Sequence, residues 1–348
     1  MPGRLSTLTA AQAASVTASQ NRGSVRSSLA LIAALGVAVA LSACSTGPAP
    51  ESAPGASSEA VTVTGDFGSE PKVEFPTPLT PGETQCEVLQ EGEGEPIAEG
   101  QLVEVAYVAY DGGTGEKLGG GGFGDSGGQL LVRGGSDSIP AMDKGLSCAS
   151  EGSRVVFVAA DYDASGAGEP TPGADPKNGV VFVLDVLRAF PTKAEGAPQL
   201  TRDGFPAVVL ASDGRPGITV PKADPPADAT DTTAVETLKG GNGPVVKDGD
   251  TVVVQFTAVN WDDNQVISQL STWEQGAPAR VGATSDAKTA MQMGLPVGLT
   301  TALIGQQVGS QLGLIIPAGE AYGEQGAGNG IIAPNATLFF VVDILGVL

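Results

Sequence analysis

The chain has 348 residues, of which 41% are hydrophobic and only 5% aromatic, with 50 glycines and 25 prolines. This length suits two domains, and the composition favours turns and short strands and excludes a largely helical fold. The chain has no histidine and a formal net charge of −21, which excludes Ser-His and Cys-His catalytic pairs and disfavours histidine-ligated metals and binding to nucleic acid.

The N-terminus has the pattern of an export signal. Arginines precede the apolar run 29–43, which has the length of a signal-peptide core and is short for a membrane span. Small residues lie directly before Cys44 and resemble the lipobox of bacterial lipoproteins. We therefore expect removal of residues 1–43, lipidation of Cys44, and a flexible tether at 44–60. An ordinary signal peptide with an incidental cysteine is the alternative.

Cys86 and Cys148 are the other cysteines among the 3 in the sequence. An exported compartment permits a disulfide between them. Closing such a loop would stabilise the fold by about 4 kcal/mol on the chain-entropy model. Two unpaired buried thiols are the alternative.

An internal repeat defines the architecture. In each copy a glycine turn leads into an alternating apolar segment, VEVAYVAY or VVVQFTAV, with the period of a half-buried strand. A short helical pattern, a glycine and further strands follow in both copies. The matched segments are 89–118 with 238–267, 138–160 with 295–318, and 180–187 with 338–345. The repeat predicts an α+β domain made twice, each with several antiparallel strands around one short helix.

The boundaries of the two domains follow from composition. Upstream of each copy, a proline precedes an apolar strand that itself ends in proline. We therefore predict domains at 61–190 and 203–348. The segment between them, 191–202, is rich in Pro, Ala and charged residues and is predicted to be a linker.

The second copy carries a family resemblance in four blocks, VVVQF, PVGLTTALIGQQVGS, IPAGEAYGEQG and IIAPNATLFFVVDIL. Their order and spacing resemble FKBP-type peptidyl-prolyl cis-trans isomerases. With the lipobox, the chain resembles a tandem FKBP-like lipoprotein of the actinobacterial type. The resemblance implies two FKBP-like domains, each an antiparallel sheet wrapped around a short helix, with an apolar cleft for the substrate proline.

The resemblance also implies the site residues. Tyr322 would donate its hydroxyl to a carbonyl of the bound peptide, and the backbone N–H of Ile331 would bind a second carbonyl. The implied lining of the cleft is Phe256, Leu295, Pro296, Leu299 and Phe340. Each aromatic residue could instead be a simple core residue, and only the combination favours a cleft.

Prolyl isomerisation suits a chain without histidine. Rotation about an X–Pro bond crosses a barrier of about 18–20 kcal/mol because amide resonance is lost, and no proton moves. An apolar cleft lowers this barrier if it excludes water and binds the twisted amide better than the planar forms. We therefore predict no cofactor and no metal.

Both copies depart from the family pattern. In the second copy Leu299 replaces the usual Trp, Ser268 stands where an acidic residue is common, and Ala279 replaces an aromatic wall residue. In the first copy Met142 replaces the same Trp, and Asp-Ala-Ser at 163–165 replaces the Ala-Tyr-Gly motif. We therefore expect a degenerate first domain and an isomerase in the second.

Three functions stay open on the sequence: an active isomerase, a peptide-binding chaperone without efficient turnover, and a scaffold lipoprotein. We predict the first, with proline-containing segments of exported proteins as its partners. The predicted location is extracytoplasmic, anchored to the cell membrane through a lipid on Cys44.

Overall fold

The computed structural model describes residues 49–136, 138–166 and 177–348. The predicted signal peptide at 1–43 and the lipidated Cys44 lie outside the described residues, so both stay predictions. Within the described ranges, no helix combines the length and apolar character needed to cross a membrane.

The first half of the chain forms an antiparallel sheet of six strands. Its elements in chain order are α1 (Ala56–Glu59), β1 (Thr62–Thr64), β2 (Lys72–Glu74), β3 (Gln85–Gln90), β4 (Leu102–Asp111), β5 (Lys117–Gly121), β6 (Gln129–Val132), α2 (Pro140–Ser147), β7 (Arg154–Ala159), α3 (Asp161–Ser165) and β8 (Val180–Ala189). The sheet order is β3-β7-β8-β4-β5, and β6 pairs with β4 beside β5. Strands β1 and β2 form a separate hairpin.

The second half repeats this arrangement in a sheet of seven strands. Its elements are β9 (Ala197–Pro198), β10 (Ala207–Leu210), β11 (Pro216–Thr219), β12 (Ala234–Gly240), β13 (Thr251–Asn260), β14 (Val266–Ser271), α4 (Thr272–Gln275), β15 (Ala279–Gly282), α5 (Ala287–Gln292), α6 (Val297–Ala302), β16 (Gln311–Ile316) and β17 (Leu338–Val347). The order is β14-β13-β17-β16-β12-β9, and β15 also pairs with β13. The predicted α+β fold, an antiparallel sheet with a short helix made twice, is confirmed.

Both faces of each sheet are covered. One face packs against the short helix, α2 in the first domain and α6 in the second. The opposite face packs against the N-terminal hairpin of the same domain, β1-β2 or β10-β11. Because both faces are covered, β7 and β16 are buried at every residue, and their sequences are nearly continuous apolar runs instead of an alternating pattern.

The segments predicted as tether and linker contact the domains where the structure describes them. Within the predicted tether, the N–H of Glu51 donates to Oγ of Ser147 at 2.9 Å, and Ser58 is fully buried in the turn that begins α1. Within the predicted linker, Ala194 is buried and β9 adds to β12. Small residues such as Ala and Gly let these segments pack closely against the domains. A segment rich in small residues can therefore be either flexible or packed, and its composition alone does not tell which.

A disulfide joins Cys86 and Cys148, whose Cα atoms are 6.8 Å apart across 62 residues of chain. Cys86 lies in β3, and Cys148 caps the C-terminus of α2. The bond therefore ties the helix of the first domain to the outer strand of its sheet.

A buried aspartate occupies the same place in the last strand of each domain, with different partners. In the first domain Arg154 holds Asp185 through two hydrogen bonds of 2.6 and 2.7 Å, and the N–H of Gly68 donates to the same carboxylate at 2.7 Å. In the second domain the carboxylate of Asp343 accepts from the side chain of Gln311 at 2.7 Å and from the linker. Without a directly paired cation, burial raises the pKa of Asp343.

These two arrangements predict unequal costs for equivalent substitutions. Arg154→Leu leaves the carboxylate of Asp185 buried and unpaired, so we expect a loss of about 3–5 kcal/mol in the free energy of unfolding of the first domain. The matched control, Gln311→Leu, removes one hydrogen bond from Asp343 and is expected to cost about 1–3 kcal/mol. Urea unfolding of both variants, followed by circular dichroism, measures the difference. Equal losses would contradict this assignment.

Candidate active site

Helix α6 contacts the sheet of the second domain at Gly298, where an added Cβ would lie 2.2 Å from Oγ1 of Thr233 and 2.7 Å from Cγ2 of Ile316. A larger residue would therefore require Thr233, Ile316 or the helix to shift. The next residue, Leu299, is completely buried, and the segment Gly294 to Pro296 leads into the helix.

Tyr322 lies shortly before residues 327–332, which form a small hairpin that we call the flap. Its hydroxyl points to residues 294–296, which lead into α6. The hydroxyl donates to the carbonyl oxygen of Gly294 at 2.9 Å, and the ring packs against the core cluster of the domain. Burial raises the pKa of Tyr322 to about 12, so the hydroxyl keeps its proton at neutral pH. Tyr322 is therefore a neutral donor, and in this structure its partner is a backbone carbonyl of the cleft wall.

The flap is a small hairpin formed by residues 327–332. Ala327 and Ile332 exchange two backbone hydrogen bonds of 3.0 and 3.1 Å. The turn between them needs positive φ at Asn329 (54°) and its neighbouring glycines, which explains its Gly-Asn-Gly sequence. Ile331 stands at the tip, 50% exposed, and its N–H donates to the carbonyl of Gly328 at 3.3 Å.

Three of the residues that the resemblance implies as cleft lining lie in the core directly beneath the cleft. Phe256 is 4% exposed, and Leu299 and Phe340 are fully buried. The two aromatic rings lie 6.0 Å apart at an interplanar angle of 52°, a tilted contact typical of packed aromatic pairs. These side chains support the cleft but present almost no surface of their own.

The accessible surface above this floor comes from other residues. Leu295 and Ala279 are partly buried and pack against the same cluster, while Pro296 is buried at the start of α6. Ser268, at the position where the family has an acidic residue, is exposed on the neighbouring strand, and Ile267 beside it is buried. The cleft wall is therefore apolar and carries no carboxylate at this position.

Two features of the site could not be found by sequence reasoning. The pattern identified Tyr322, but nothing in the sequence indicates that the carbonyl of Gly294 accepts from its hydroxyl. The resemblance gave a role to the backbone N–H of Ile331, which here donates to the carbonyl of Gly328. Ile332 is the flap residue whose side chain is buried in the core, at 6% exposure, and two adjacent isoleucines give no signal that Ile332 is the one paired with Ala327.

The equivalent place in the first domain holds a charged network. Asp163, 4% exposed, accepts from Nζ of Lys144 at 2.7 Å and from the hydroxyl of Thr84. Ala164 stands where the second domain has Tyr322, so no hydroxyl is available there. Met142 is 6% exposed and fills the core beneath. The network occupies the flap base, and its one neutral donor, the hydroxyl of Thr84, is already donated to Asp163.

Within the described residues, no group of three or more His, Cys, Asp or Glu side chains that could hold a metal ion occurs. The site consists of an apolar floor and one neutral hydroxyl donor.

Comparisons with known proteins agree with this description of the second domain. The family described as FKBP-type peptidyl-prolyl cis-trans isomerase matches residues 243–345. An FK506-binding protein of Streptomyces anulatus is 34% identical over 136 residues, which cover 38% of this chain and 97% of that protein. FK506-binding protein 1 of Debaryomyces hansenii is 35% identical over 119 residues, which cover 33% of this chain and 95% of that protein.

Among solved structures, the three FKBP domains of wheat FKBP73 align with 77% of this chain and 95% of their own, at 19% identity and a TM-score of 0.31. The sequence relatives, which this chain covers almost completely, show its affiliation. The chain belongs to the family of FKBP-type peptidyl-prolyl cis-trans isomerases.

Proposed function

We propose that the protein is a peptidyl-prolyl cis-trans isomerase whose activity resides in the second domain. The observation that carries the proposal is the placement of the Tyr322 hydroxyl, a neutral donor on an apolar floor, next to the entry of α6. The first domain has the same fold but presents the Asp163–Lys144 pair at this place. We therefore assign turnover to the second domain alone.

Catalysis would follow from the polarity of the cleft. A peptide that lies on Leu295 and Tyr322 loses water from the X–Pro amide, and water favours the planar, charge-separated form. In the twisted transition state the amide carbonyl carries less resonance charge, and the cleft binds this form better than either planar isomer. The Tyr322 hydroxyl holds a carbonyl of the peptide, for which it exchanges its bond to Gly294.

A second candidate function is peptide binding without turnover. It is favoured by the same hydrogen bond, because the single proton of the Tyr322 hydroxyl is already donated to Gly294. If that bond persists when a peptide binds, the cleft binds apolar segments without a hydrogen bond from Tyr322. Measured rates with matched variants distinguish the two functions.

We further propose that the protein acts on exported polypeptides at the outer face of the cytoplasmic membrane. The support is the sequence pattern at the N-terminus, with basic residues, an apolar run and Cys44 after small residues. Proline-containing segments of unfolded exported proteins are the substrates expected there.

Removal of the Tyr322 hydroxyl is expected to reduce isomerisation. Tyr322→Phe should lower kcat/KM by about 2- to 13-fold, the loss of one hydrogen bond worth about 0.5–1.5 kcal/mol. The assay is the cis-to-trans conversion of a short X-Pro peptide by the full chain. The matched control is Tyr162→Phe, which removes a hydroxyl from α3 of the first domain and should leave the rate unchanged. A wild-type rate at background, or equal losses in both variants, would contradict the assignment.

The rate of isomerisation is expected to be independent of pH from about pH 6 to 9. The chain has no histidine, and burial raises the pKa of Tyr322 to about 12, so the donor stays protonated below that pH. Because a raised pKa retains the proton, activity should fall only as the pH approaches about 12. A bell-shaped profile of kcat/KM centred near neutrality would argue for acid-base catalysis instead.

Lipid attachment predicts that Cys44→Ser releases the protein from membranes. The full chain expressed in a bacterium with lipoprotein processing should take up labelled fatty acid and sediment with the membrane fraction, because two acyl chains anchor stably. The Cys44→Ser variant should do neither, while the control Cys86→Ser should still be labelled. Equal labelling of the Cys44→Ser variant would refute the anchor.

A further inference from the structure

We propose that the groove between the two domains is a second binding subsite, which holds an apolar segment of an unfolded polypeptide while a nearby proline occupies the cleft beside Tyr322. The inference rests on the proposed function and names the form of its substrate, an extended chain longer than the X–Pro unit. It also gives the first domain, which lacks an equivalent of Tyr322, a role in binding.

The two domains meet through a small apolar cluster. Its buried members are Leu102, Phe190, Val253 and Leu345. Gly346 has no room for a side chain, since an added Cβ would lie 2.6 Å from the ring of Phe190. The guanidinium of Arg188 donates to the carbonyl of Val347 at 2.7 Å. Both sheets belong to one compact unit, so the groove beside the cluster is preorganised.

The groove has a volume of about 200 Å³. One wall is β6 of the first domain, where Leu130 and Val132 are partly buried against the interdomain cluster. The other wall is Ala277, Pro278 and Arg280 of the second domain, and Ser136 and Ser138 also line the groove, so its lining is both apolar and polar. Pockets for small molecules usually measure about 300–1,000 Å³. This groove is therefore large enough for one or two side chains of a peptide, which would contact Leu130, Val132 and Pro278.

Both walls of the groove include edge strands. In the part of the chain that the structure describes, β6 pairs only with β4, and β15 pairs only with β13. The second edge of such a strand can accept the backbone of an added, extended segment. An unfolded polypeptide fits these edges better than a folded partner, whose backbone groups are already paired.

Strand β15 also connects the groove to the cleft. Ala279 packs against the core cluster beneath the cleft, and its chain neighbours Pro278 and Arg280 line the groove. An extended chain advances about 3.3–3.6 Å per residue. Strand β15 therefore separates the groove from the cleft, and a peptide that extends a few residues beyond the bound proline would have to cross only this strand.

The test compares the affinities of two fluorescent peptides for the full chain by anisotropy. The short peptide is a tetrapeptide with one proline, and the long peptide extends it on each side by about six residues that include a leucine, roughly 20 Å when extended. Burying one such side chain predicts at least about fivefold tighter binding of the long peptide. Ser136→Trp, on the exposed rim of the groove, should abolish this advantage.

Two further variants make the result decisive. Ser126→Trp, exposed in the same domain but away from the groove, should keep the advantage, and Pro278→Asp on the opposite wall should remove it independently of Ser136→Trp. Equal affinities of the two peptides, or an advantage that survives both groove variants, would overturn the subsite. The isomerisation rate of the short peptide reports separately on the proposed function, so absent turnover with groove-dependent binding refutes the function and not the subsite.

Discussion

The closeness of helix α6 to its sheet is the constraint on which the second domain depends. At Gly298 the helix leaves no room for a Cβ beside Thr233 and Ile316, and the next residue, Leu299, is fully buried in the core. The carbonyl of Gly294, just before the helix, accepts from the hydroxyl of Tyr322. The helix, its entry and Tyr322 therefore belong to one packed region of the second domain.

The two copies solve the same burial problem with different chemistry. At the flap base the first domain has an ion pair between the buried Asp163 and the partly exposed Lys144, and the second has the ring and hydroxyl of Tyr322. Opening the ion pair is costly because it leaves the carboxylate of Asp163 buried without its cation. A neutral hydroxyl can change partners at little cost. This difference favours structural stability in the first domain and ligand exchange in the second.

The sequence was a good guide to the fold and a partial guide to the site. The apolar run at 251–260 and the short helical pattern within 295–318 predict strand and helix because their periods follow from backbone geometry. The strand was expected to be half-buried, but it is buried at nearly every residue because both faces of the sheet are covered. The identity of Tyr322 followed from its motif. The acceptor of its hydroxyl, the carbonyl of Gly294, is set by the tertiary structure, and a glycine in the sequence gives no sign of that contact. The burial of Ala194 in the predicted linker could not be foreseen either, because flexible linkers and tightly packed segments are both rich in small residues.

In the proposed function a proline peptide binds the second domain at Tyr322 and is interconverted there. Two-dimensional exchange NMR of the full chain with a short proline peptide at equilibrium observes this step. We expect exchange peaks between cis and trans peptide signals, with amide shifts at Tyr322, Leu295 and Ile331 and none around Asp163. Amide shifts at these residues without exchange peaks would indicate binding without turnover, and shifts confined to the first domain would refute the assignment of the site to the second domain.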